Sequence, residues 1–106
     1  MDFKQIINRA LEIREKYSEL EKRKYGQEWT RRQIIQGFVG DVKDLVELVE
    51  LREKSQKKGE IDKKIAHELA DCLWSVLVIA DKYNVNIEKS FFRTMNELEK
   101  RILSRP

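Results

Sequence analysis

The stretch from Ile65 to Ala80 constrains the fold of this chain most. Leu69, Ala70, Cys72, Leu73, Trp74, Val76, Leu77, Val78 and Ile79 cover nearly every side of a helix turning about 100° per residue. A helix that is apolar almost all round belongs inside a fold. His67, Glu68 and Asp71 interrupt it, so it does not read as a membrane span. Lys64, Glu68, Asp71, Ser75 and Lys82 fall within one narrow arc, with the two carboxylates one turn apart at i and i+3. Buried carboxylates are costly unless they are paired or bound to metal.

The rest of the chain supplies partners for that helix. With 106 residues it is expected to form one domain over 1–106, enough for a single core. Four Gly and one Pro leave little material for turns, which favours long helices over many short strands. A first helix is expected from about Asp2 to Lys24, with Phe3, Ile6, Ile7, Ala10, Ile13, Tyr17 and Leu20 as its stripe and Gly26 as a left-handed cap. A second opens at Thr30, where Thr30 and Gln33 fit a capping box, and Ser55–Gly59 reads as the following loop. The third is expected from about Ile61 to Tyr83. The fourth starts near Asn86 and carries Ile87, Phe91, Met95, Leu98 and Ile102 as a seam for another helix. Four helices with short connections predict an all-α, antiparallel four-helix bundle.

The second helix repeats the acidic theme. Asp41 and Asp44 are again at i and i+3, and Asp41 lies inside the apolar arc, between Ile34 and Leu48 on the helical wheel. Gly37 and Gly40 flank it, which suggests either room for a ligand or close packing of two backbones. If the second and third helices pack side by side, four carboxylates converge, and they cannot all stay ionised without cations. Hard oxygen donors without a Cys/His cluster select Mg²⁺ or Mn²⁺. The alternative is ion pairing with Lys43, Lys64 and Lys82.

The residues Glu68-Leu69-Ala70-Asp71 and Asp41-Val42-Lys43-Asp44 resemble the paired ExxE and ExxD motifs of the all-α nucleoside triphosphate pyrophosphohydrolases, and in particular the compact MazG-like subgroup. The likeness spans roughly residues 30–102. It departs from the pattern in the first motif, where both glutamates are aspartates, one methylene shorter. The resemblance implies that Asp41, Asp44, Glu68 and Asp71 hold Mg²⁺ (or Mn²⁺), with Glu68 and Asp71 as the catalytic pair. It also implies cleavage of a nucleoside triphosphate between its α- and β-phosphates, and assembly as a homodimer or tetramer. Lys64, Lys82 and Trp29 are candidates for contacting the substrate. A non-catalytic helical or nucleotide-binding module is the alternative, motivated by the DxxD substitution.

Charge and composition narrow the remaining classes. The 22 basic and 19 acidic residues are interspersed and leave a net charge of only +3, as a solvated helical surface would, so nucleic-acid binding is weakly supported. Cys72 is the only cysteine and reads as core. The opening MDFKQIINRA lacks an apolar signal segment, and a reducing, cytoplasmic setting is expected. His67, beside Glu68, reads as a surface histidine.

Overall fold

The longest helix, α3 (Lys58–Lys82), is the one against which the two helices preceding it pack. The computed structural model describes residues 1–104, and their only regular structure is helical: α1 (Phe3–Tyr25), α2 (Arg31–Lys54), α3 and α4 (Ile87–Leu103). This bears out the all-α class. The last two residues of the expected domain, Arg105 and Pro106, lie outside the described residues.

Local chemistry sets the helix ends. Thr30 Oγ1 accepts the Gln33 N–H at 3.1 Å, while the Thr30 N–H donates to Gln33 Oε1 at 2.8 Å, which is the expected capping box. Asp2 and Gln5 make the same exchange at the start of α1. Gly26 closes α1 in the left-handed region, φ 86°, with its N–H on the Lys22 carbonyl at 2.9 Å. Asn84, φ 56°, turns the chain out of α3, and the Val85 N–H returns to the Ala80 carbonyl at 2.8 Å. Asn86 then caps α4 by accepting the Lys89 N–H. One boundary differs from expectation. The connection between α2 and α3 is only Ser55–Lys57, and Gly59 lies in the first turn of α3. That turn is exposed, so its polar composition imitates a loop.

With so short a connection, α2 and α3 form an antiparallel hairpin. Arg52 pairs with Asp62 near the turn. Farther from the turn Asp44 meets Glu68, and beyond that Asp41 comes close to Asp71. Each step forward along α2 is matched by a step back along α3, so an i, i+3 pair on one helix faces an i, i+3 pair on the other. Across this hairpin lies α1. Trp74 Nε1 donates to the Ala10 carbonyl at 2.9 Å, and the Tyr17 ring stands 5.6 Å from that of Trp74. Ala10, Ile34, Ile61, Leu77, Val78 and Ala80 form the buried apolar core.

Two features depart from a closed bundle. The buried face of α1 runs Ala10, Arg14, Ser18 and Glu21, leaving Tyr17 and Leu20 of the expected stripe exposed. Arg14 and Glu21 tolerate that position because they pair with each other. The second departure is α4, which buries none of its residues: Phe91, Phe92 and Ile102 are 54%, 62% and 70% exposed. The radius of gyration is 17.1 Å, against about 13 Å for a compact domain of 100 residues.

Candidate metal centre and adjoining clefts

The hairpin register brings the four sequence-predicted acids to one place. Ligand-capable oxygens of Asp41, Asp44 and Glu68 lie within 4.8 Å of one another. A second trio, His67, Glu68 and Asp71, meets the same distance and shares Glu68 with the first. The shorter aspartates of the first motif therefore still reach Glu68. Asp44 is exposed, while Asp41, Glu68 and Asp71 are half-buried.

Electrostatics make this a strained cluster without a cation. Among the described residues, no lysine or arginine forms a salt bridge with any of the four acids, so Lys43, Lys64 and Lys82 do not neutralise them. Their one such partner is a histidine, His67, whose Nε2 lies 3.2 Å from Asp71 Oδ2. Burial pushes the Asp41 carboxyl up, and the charges of Asp71 and Asp44 push it further. Glu68 is raised in the same way, by loss of hydration first and then by Asp71, Asp41 and Asp44, with His67 acting in the opposite direction. Burial followed by the same acids raises the Cys72 thiol. Glu68 Oε2 is a buried oxygen with no hydrogen-bond partner. A buried acceptor left unsatisfied calls for an explanation, and a cation among these oxygens supplies one. An all-carboxylate trio suits a hard divalent ion.

Two clefts flank the cluster. One, of about 540 Å³, combines the charged residues Asp44, Glu47, Glu60, Lys63, Lys64 and Glu68 with Leu48 and Leu51. The other, of about 390 Å³, runs from Asp41 and Asp71 to an aromatic end formed by Tyr17, Trp29 and Trp74. His67 borders both. Trp29 lies over Gly37, where an added Cβ would stand 3.2 Å from Trp29 Cζ3. The glycine is thus a place of close approach, although the group it admits is an indole of the same chain. No atom lies within 4 Å of the corresponding position at Gly40.

The other sequence candidates divide. Lys64 lines the first cleft and Trp29 the aromatic one. Lys82 lines neither cleft. It lies three turns beyond Asp71, about 16 Å along the helix, where its charge acts on Glu28. Sharing an arc with the acids did not place it near them. Sequence reasoning missed Arg14 and Glu21, whose signal was a spacing of seven on the face of Ala10; His67 is exposed, as read, and also meets Asp71.

No helix among the described residues is long and apolar enough to cross a membrane. No match was found among curated proteins or solved structures. The family model of the MazG nucleotide pyrophosphohydrolase domain matches residues 30–103, which includes both acid pairs, Trp74 and all of α2, α3 and α4. With that match spanning most of its length, the chain belongs to the MazG nucleotide pyrophosphohydrolase family.

Proposed function

We propose that the chain is a Mg²⁺-dependent hydrolase that converts a nucleoside triphosphate to the monophosphate and pyrophosphate. The observation that carries this reading is the trio Asp41, Asp44 and Glu68, which gathers carboxylate oxygens within 4.8 Å of one another and includes a buried oxygen that no protein group satisfies. Asp41, Asp44, Glu68 and Asp71 would hold the cation, with Mn²⁺ the nearest substitute. A bound divalent ion supplies charge neutralisation for the phosphates and a lowered pKa for water.

The protein's own groups do the remaining work. The aromatic cleft takes the nucleoside, with Trp29 as one wall, and this directs the triphosphate across the acids toward the other cleft and Lys64. Glu68 and Asp71 would hold the ion, and a carboxylate oxygen left free of it would accept a proton from the attacking water. That water's oxygen bonds to the α-phosphorus, the bond from this phosphorus to the bridging oxygen breaks, and pyrophosphate leaves. His67, at 3.2 Å from Asp71, orients that carboxylate.

The unpartnered apolar face of α4 and the extended shape support a homo-oligomer, dimer or tetramer, in which a second copy covers Phe91, Met95 and Leu98. The test of function is pyrophosphate release from ribo- and deoxynucleoside triphosphates, with and without Mg²⁺. Release that requires the metal and is lost in Glu68→Gln and Asp71→Asn, both still folded, is the expected result. No release from any triphosphate with Mg²⁺ or Mn²⁺ would overturn it. The DxxD motif favours one second reading, a family member that binds metal and nucleotide without cleaving.

A further inference from the structure

The wall that α1 gives to the aromatic cleft is charged. Arg14 and Glu21 are 8% and 6% exposed and both line it, with Tyr17 between them in sequence. Arg14 Nη2 donates to Glu21 Oε1, and Arg14 Nε donates to Ser18 Oγ at 3.3 Å. The same Glu21 oxygen accepts the Trp29 backbone N–H at 2.9 Å, and the guanidinium carbon stands 6.0 Å from the centre of the Trp29 ring. Arg14 Nη1 makes no hydrogen bond among the described residues, although it belongs to a side chain only 10% exposed. Arg14 lines the cleft with Nε and Nη2 already engaged, which leaves Nη1 as the guanidinium nitrogen available to a ligand there.

Stability alone does not account for this pair. Apolar groups of similar volume are often at least as stabilising as a buried ion pair. Holding the Trp29 N–H requires Glu21 only. What Arg14 adds is a rigid, permanently charged donor beside three aromatic rings.

Resting on the reading of this cleft as the nucleoside site, we propose that Arg14 determines base specificity by donating from Nη1 to a base carbonyl oxygen, and so selects cytosine, uracil, thymine or guanine nucleotides over adenine. Adenine has no carbonyl. Its polar edge carries an amino group beside a ring nitrogen, and an amino group facing Nη1 sets donor against donor, leaving both unsatisfied. Arginine matches the acceptor-rich edges of bases, while adenine is matched by Asn and Gln.

Binding tests the idea without turnover. Nucleoside monophosphates of adenine, cytosine, guanine and uracil are titrated separately into the full chain, with tryptophan fluorescence as the readout. At least one carbonyl-bearing nucleotide should bind about tenfold or more tightly than AMP, from one charge-assisted hydrogen bond. Arg14→Lys keeps the charge beside Glu21 but cannot span Glu21 and ligand with one nitrogen, and should bring the ratio to within about threefold. If Arg14→Lys does not fold, the double variant Arg14→Met, Glu21→Gln leaves no unpaired buried charge and should give the same loss. AMP binding as tightly as the best carbonyl-bearing nucleotide, an undiminished ratio in the variant, or no binding of any monophosphate would overturn the proposal. Selective binding without pyrophosphate release would retain it and sink the hydrolytic reading.

Discussion

Alanine at Gly40 and at Gly37 should have different effects, although the two glycines lie one turn apart in the same helix. Replacing a mid-helix glycine by alanine gains about 1 kcal/mol from backbone preference. At Gly40 the new methyl group meets no atom within 4 Å, so the gain is kept. For a domain of this size it should raise the melting temperature by about 4–8 °C. At Gly37 the methyl would lie 3.2 Å from Trp29 Cζ3 and 3.8 Å from Cη2. The indole must move by a few tenths of an ångström. Its backbone is held by Glu21, so the ring rotates instead of the loop shifting. An off-rotamer ring costs about 0.5–1.5 kcal/mol, which cancels most of the helical gain. Gly37→Ala should therefore melt near the wild type, shift the tryptophan emission and raise KM for the nucleotide more than it lowers kcat. Thermal melts, emission spectra and steady-state kinetics on both variants check this. A Gly40→Ala protein that melts at or below the wild type would refute the reasoning, as would a Gly37→Ala protein that gains as much as Gly40→Ala with unchanged emission.

The raised Asp41 and Glu68 carboxyls give a pH signature. The fold retains protons that the unfolded chain releases, so their contribution to stability falls as pH rises through the window between unfolded and folded pKa. In EDTA, Asp41→Asn should melt above the wild type at pH 7, and the difference should shrink as pH falls from the raised folded pKa toward the unfolded value of about 4; a difference that widens on acidification contradicts the sign. With Mg²⁺ at about one hundred times its Kd the wild type should gain about 2.7 kcal/mol, and Asp41→Asn far less, by calorimetry. Light scattering at micromolar concentration should report at least two chains, and Met95→Glu should reduce that mass. A monomeric wild type would remove the second copy from the account.

Much of the fold was legible because helix formation is local. The Thr30–Gln33 box, the Gly26 stop and the Asn86 cap each act over a few residues, and the observed helices begin or end there. The two acid pairs were legible for a related reason, since i, i+3 spacing fixes a common face on any helix. Which face meets which neighbour is not local. Lys82 shares the arc of Glu68 and Asp71, yet distance along the axis separates it from them. Arg14 and Glu21 lie two turns apart on α1, and only the packing of α1 on α3 makes them a buried pair. His67 gains its part only through Asp71, four residues on, and through the two clefts that meet beside it. The seam of α4 was visible in the sequence, but its cover is not part of the same chain's buried core.

The matched counting of α2 against α3 decides which insertions this chain can accept. One residue added between Asp41 and Asp44, or between Glu68 and Asp71, turns the second acid of the pair by about 100° and carries it off the shared face. One residue added within α2 after Asp44 leaves both pairs intact and spoils only the turn-proximal rungs, including Arg52 with Asp62. Residues added at Ser55–Lys57 shift no rung at all, and a longer loop costs little in chain entropy. Length variation among descendants of this sequence should therefore collect at that turn, with the helical stretches bearing the acid pairs held to a constant number of residues.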